Sequence, residues 1–133
     1  MFWAFPSTHE VRMFASNTSS ASIIRNEELV LMYAEANAQL GNFANAKTAP
    51  DVIRTTFGLP VYAGALTTPA LIDEVLKQRR YSLFFEGHRW FDMRRYNRLA
   101  QIQPQGAISG NTFVVFEAML RPDAEVQWNI LNP

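Results

Sequence analysis

Apolar residues recur at helical spacing through the first two thirds of the chain. Leu29, Met32, Tyr33, Ala36 and Leu40 fall three and four positions apart and predict a helix over 23–40. Ser22 stands where a hydroxyl would cap its start, and Gly41 where a left-handed residue would close its end. Ala46, Ala49, Ile53 and Phe57 predict a second helix over 43–57, stopped by Gly58 and Pro60. Pro50 falls inside it. An interior proline removes a hydrogen bond and crowds the preceding turn, so this helix is expected to kink or break there. After a loop over 59–67, Thr68 as cap and Pro69 as first helical residue open a third helix over 69–86. Ile72, Val75, Leu76 and Leu83 are its expected buried stripe, and Asp73 and Glu74 lie near its positive end. Gly87 interrupts the pattern, and a shorter helix over 88–97 carries Trp90, Phe91 and Met93. Residues 1–21 show no sustained period and read as an irregular segment. Residues 98–133 read as loop-rich, with Thr112–Phe116 as a short strand candidate.

These elements predict a mainly α protein built on a helix hairpin. Around its turn, Ala34, Ala38, Gly41, Phe43 and Ala46 place small residues where two helices approach closely. This is the pattern of a tetratricopeptide-type unit. One such hairpin cannot bury both of its faces alone, so neighbouring structure is expected around it.

Composition narrows the chemistry. Twelve basic and twelve acidic residues give a formal net charge of zero, against a general polyanion binder. There is no cysteine, which removes disulfides, thiolate metal sites and a cysteine nucleophile. His9 and His88 are too far apart for a paired-histidine zinc motif. The apolar start, Met1 to Pro6, is too short and lacks the basic residue and cleavage site of a secretory signal. No run approaches the length of a membrane helix.

Residues 77–98 are the informative segment, holding seven of the twelve basic residues with Glu86 and Asp92 as the only acids. Arginine's planar fork suits paired hydrogen bonds to carboxylates. The segment therefore reads as an ion-pair network of Arg79, Arg80, Arg89, Glu86 and Asp92 locking the third helix to the fourth. A base-stacking surface of Trp90, Phe91 and Tyr96 is the competing reading, and zero net charge disfavours it. His88 and Asp92, four apart, could share a helix face as an acid–base pair or as two metal ligands. A histidine satisfied by a neighbouring carboxylate is the plainer alternative. No catalytic residue, metal ligand or cofactor site is assigned.

The run Glu86-Gly87-His88-Arg89-Trp90-Phe91-Asp92-Met93-Arg94-Arg95 resembles the "EGHRWFDLRR" signature of SusD/RagB-type proteins. Arg79, Arg80 and Leu83 match the "ERRxEL" that precedes it, with Gln78 and Ser82 in place of the usual glutamates. Leu31 to Ala36 resembles "LMYAEA", with Arg25 and Glu28 placed as in its "RxxE" lead-in and Glu35 as its glutamate. Ile53-Arg54 and Gly58-Leu59-Pro60 resemble "VRxRAGLP", Arg121 to Glu125 resembles "PIPQSE", and Asn132-Pro133 the start of "NPGY".

The resemblance covers residues 22–133 and implies the C-terminal portion of an outer-membrane nutrient-binding lipoprotein. The fold it implies is an α-helical assembly of tetratricopeptide-like pairs. The function it implies is capture of glycans or peptides for a TonB-dependent transporter, without enzymatic activity and without nucleic acid. A signal and lipid-bearing cysteine are then expected upstream, at the cell surface of the outer membrane. Gly87 is expected to turn the chain, Arg89 to pair with Asp92, and Trp90 and Phe91 to fill the space beneath. Trp3, Tyr62 and Trp128, in predicted loops, are candidate stacking platforms for a sugar. The alternative function is a stand-alone helical protein-interaction module of tetratricopeptide type.

Overall fold

The structure is a computed structural model that describes residues 14, 16–102, 107–108, 111–112, 115–118, 122 and 127–128. Four helices form in order: α1 (Asn26–Gln39), α2 (Phe43–Thr56), α3 (Thr68–Ser82) and α4 (His88–Arg95). A 3₁₀ turn follows at Leu99–Gln101, and two short strands, β1 (Ala107–Ile108) and β2 (Asn111–Thr112), pair antiparallel. Of the described residues in the strand expected at 112–116, Thr112 is in β2 and residues 115–116 are not in a strand; the partner β1 lies in the stretch read as loop. Residues 113 and 114 lie outside the described residues.

α1 and α2 are an antiparallel hairpin. Leu31 and Ala34, early in α1, pack with Ala49 and Ile53, late in α2. Ala38, late in α1, packs with Ala46, early in α2. Gly41 turns the chain with φ +78°, and the Asn42 and Gly41 amides donate to the carbonyls of Asn37 (2.8 Å) and Ala38 (3.3 Å). This closes the orphan carbonyls at the end of α1. The same motif ends α2 at Gly58 and α4 at Asn97, whose φ is +54°. α3 lies across the hairpin, with Leu71, Ile72 and Leu76 joining Ala38 and Ala46, and Val75 joining Leu31. Its first turn is tied to the end of α1 by Thr68 Oγ1, which donates to the Ala38 carbonyl at 3.0 Å.

Several local expectations change. α1 starts at Asn26 with an extended Arg25 before it, so Ser22 does not cap it. α2 runs unbroken through Pro50, which is fully buried. Burial of the ring in a packed helix pair offsets the lost hydrogen bond. α3 begins one residue earlier than expected and ends at Ser82, four residues short. Leu83 to Glu86 then form a turn in which Phe85 adopts a left-handed φ of +66°, a conformation bulky residues rarely hold.

The buried face of α1 is not the one its large apolar residues mark. Leu29, Met32, Tyr33 and Leu40 are exposed, and Leu31, Ala34, Glu35, Asn37 and Ala38 are buried. Apolar residues are spread around this helix, so periodicity alone selects no single face. Packing selects the face with small residues, because alanines let α2 and α3 approach. Leu31→Ala should thus cost about 2–5 kcal/mol, and Met32→Ala under about 1 kcal/mol. Urea denaturation of both variants checks this, and equal losses would contradict the assigned face.

Candidate functional site

The corner between α3 and α4 depends on Gly87. It stands before α4 with φ +80°, and a Cβ built there meets nothing within 4 Å. Glycine is required by backbone conformation, not by crowding. The turn brings Asp92 of α4 against Arg79 of α3, whose Nε donates to Asp92 Oδ2 at 2.7 Å. Both side chains are only 6% exposed. Arg95, one turn further along α4, donates to Asp92 Oδ1 at 3.0 Å and also to both oxygens of Glu35 on α1. Tyr96 donates to Glu35 as well, and receives a hydrogen bond from Gln39 at 3.2 Å.

A second bridge lies at the other end of α1. Arg25 Nη1 donates to Glu86 (3.0 Å) and to the Ser82 carbonyl (2.9 Å), while Nη2 donates to Glu27 (3.0 Å). His88 Nε2 lies 3.8 Å from Glu28. α1 is thereby joined by charge to both ends of α4. Between them runs a cleft of about 640 Å³, with Met32, Ala36 and Phe91 among its apolar walls.

Its electrostatics follow from pairing. The hydrogen bonds that Arg25 donates to Glu27 and then to Glu86 raise its pKa. Glu35, followed by Asp92, holds the Arg95 guanidinium charged more strongly still. Burial, and then the bond to Glu35, push the Tyr96 phenol above its usual range. Three of the four cleft carboxylates face a cation, Glu35 facing Arg95, Glu86 facing Arg25, and Asp92 facing Arg79 and Arg95, while the fourth, Glu28, faces the His88 imidazole. Such a corner holds elements in place, with its carboxylates engaged rather than offered to a reacting group.

The structure thus unites seven of the sequence-predicted motif residues at this corner: Arg25, Glu28, Glu35, Arg79, Glu86, Gly87 and Asp92. Two expected pairings are replaced. Asp92 pairs with Arg79 and Arg95, and among the described residues Arg89 has no ion pair or hydrogen bond. Glu86 reaches back to Arg25, not to an arginine of α3 or α4. His88 faces Glu28 on α1, so it does not form a unit with Asp92. Trp90 Nε1 donates to the Phe116 carbonyl at 2.7 Å, tying α4 to the segment 115–118, with Arg94 5.2 Å over its ring. Phe91 meets Trp90 edge to face at 5.1 Å but is itself exposed, so it does not fill the space beneath.

Sequence reasoning assigned no role to Arg95 and placed Tyr96 only in the disfavoured base-stacking surface, whereas both carry the bonds to Glu35. The three-residue step from Asp92 to Arg95 was the available signal. Arg54 also escaped a role. It donates to the Pro60 carbonyl at 2.7 Å and pairs with buried Glu74, which receives Gln78 at 2.6 Å. A glutamate at Gln78 would set two carboxylates against each other there.

Two of the three candidate ligand platforms, Tyr62 and Trp128, fall among the described residues. Tyr62 packs on the core, its amide donating to Asp51 Oδ1 at 2.6 Å. Trp128 is 66% exposed. Trp3 lies outside the described residues, as do Asn132, Pro133 and all of the 121–125 motif except Pro122.

A model of the SusD family matches residues 5–129. The "SusD-like protein P38" of Formosa agariphila is 30% identical over 114 residues, covering 78% of this chain. The chain spans 22% of that relative's length. No solved structure matches the chain.

Removing Asp92 strands Arg79 as a buried cation, so Asp92→Ala should cost about 3–5 kcal/mol. A double-mutant cycle should show 0.5–3 kcal/mol, in round terms about 1–2, between Arg79 and Asp92, and none between Arg89 and Asp92. The same denaturation assay on Gly87→Ala should show a loss of about 1–2 kcal/mol from left-handed strain. Alkaline pH offers a separate test. Tyr96 titrates higher when folded than its ordinary value of 10.0, so its contribution is complete below pH 10 and falls as pH rises through the folded value. Tyr96→Phe should flatten that alkaline decline, and an unchanged slope would remove Tyr96 as its source.

Proposed function

This chain belongs to the SusD family, and from that premise we propose that it is part of a cell-surface nutrient-binding protein. In this reading the whole protein captures glycans, or peptides, and passes them to a TonB-dependent transporter for import. It sits at the outer membrane, held by a lipid anchor outside these 133 residues, and catalyses no reaction. The family match across residues 5–129 carries the reading. The paired carboxylates of the α1–α4 corner support it, because the corner is arranged to hold shape. Among the described residues, no helix is long and apolar enough to cross a membrane.

Sugar recognition uses aromatic faces and hydroxyl-satisfying polar groups. Trp128 has the exposure such a platform needs, whereas Tyr62 has its ring against the core. Trp3 is kept as a further candidate.

One observation favours a second reading. Leu29, Met32, Tyr33 and Leu40 form an exposed apolar face on α1. Such a face suits a helical partner, as in a tetratricopeptide-type interaction module.

A glycan and peptide array with calorimetry on the full-length protein should give saturable binding. Trp128→Ala should weaken it by roughly 2- to 13-fold, the equivalent of 0.5–1.5 kcal/mol of ring contact. Purification from outer membranes should recover the transporter with it. Failure of every glycan and peptide to bind would overturn the nutrient reading.

A further inference from the structure

Among the described residues, some arginines of 77–98 are paired with carboxylates and others are not. Arg79 and Arg95 meet Asp92 and Glu35. Around Arg89 and Met93, a second cleft of about 190 Å³ opens between α3, α4 and the 3₁₀ turn. Its charged lining is Lys77, Arg80, Arg89, Arg98 and Asp73, four cations against one carboxylate. Asp73 is taken by Arg98 and stands in solvent. Lys77 has Glu74 at 3.9 Å. Among the described residues neither Arg80 nor Arg89 has a hydrogen bond or ion pair.

Asp92 is the carboxylate whose charge acts on Arg89. Its Oδ2 is occupied by Arg79 and its Oδ1 by Arg95. Arg89 is half-buried, and burial, then the charge of Arg80 and more weakly that of Arg98, work against its protonated form, only partly offset by Asp92. An arginine does not escape such a setting by losing its proton, because its intrinsic pKa is too high. What relieves a half-buried cation among like charges is an anion. The guanidinium fork fits oxyanions, which accept two parallel hydrogen bonds from it. The cleft has room for one small anionic group, not for a length of polymer.

We propose that Arg80, Arg89 and Arg98, with Lys77 at the rim, form a binding site for a single oxyanion, a carboxylate or a sulfate or phosphate group. The site is separate from the paired corner and does not depend on which nutrient the protein takes.

The test titrates the full-length protein with sodium sulfate, sodium phosphate and sodium glucuronate at ionic strength held constant with sodium chloride. Binding is read by calorimetry and by the NMR signals of arginine Nε–H groups. At least one anion should bind saturably. Arg89→Gln and Arg80→Gln should each weaken it tenfold or more, while Arg94→Gln, which alters the cation over Trp90, should leave it within twofold. Preference for glucuronate identifies a carboxylate as the natural group, and preference for sulfate or phosphate a tetrahedral ester. Arg80 is exposed and unpaired, so its variant decides the matter if Arg89→Gln does not fold. The proposal is overturned if no anion saturates, or if both variants bind like the parent.

Discussion

The position of α4 rests on the buried pair of Arg79 and Asp92. Neither ion is exposed enough for water to replace its partner, so each needs the other. An ion pair removed from water adds little net stability, because desolvation opposes the attraction. What it does is penalise every arrangement that separates the two. α4 can pack on α3 only in the register that brings Asp92 to Arg79. From there, the second oxygen of Asp92 aligns Arg95, and Arg95 reaches Glu35 on α1. One buried carboxylate thus links three helices.

This explains why the shared family motifs, distant in sequence, are close in space. Arg25 and Glu35 lie on or beside α1, and Glu86, Asp92 and Arg95 follow α3 by way of the Gly87 turn. Arg25–Glu86 and Glu35–Arg95 clamp the two ends of α4 to α1. Apolar packing of Leu31, Val75 and Leu71 holds the helices together, while the charge pairs determine how α4 sits on them. Among the described residues, Arg80 of α3 and Arg89 of α4 are the place where this logic of pairing stops.

The helices were legible because their punctuation is local. Gly41, Gly58 and the Gly87 turn adopt the left-handed backbone that their position after or before a helix demands. The family motifs were legible for the same reason, as runs of adjacent residues. Partner choice was not legible. Arg89 stands three residues from Asp92 and is the obvious neighbour in sequence, yet Arg79, thirteen residues away, takes the carboxylate. The buried face of α1 was not legible, because apolar residues lie all around the helix and packing here prefers alanine. The break allowed for at Pro50 does not occur, because a local rule for isolated helices does not count the burial of the ring.

By itself, the sequence determined that the chain is mainly helical, where its turns fall, and to which family it belongs. Each of these depends on residues close together along the chain: periodicity, glycine at a stop, a contiguous signature. Tertiary structure alone decided which face of α1 is buried, which carboxylate meets which arginine, and which arginines are left without one. Those outcomes depend on distances across helices, and a charge buried at 6% exposure selects its partner by geometry rather than by order in the chain.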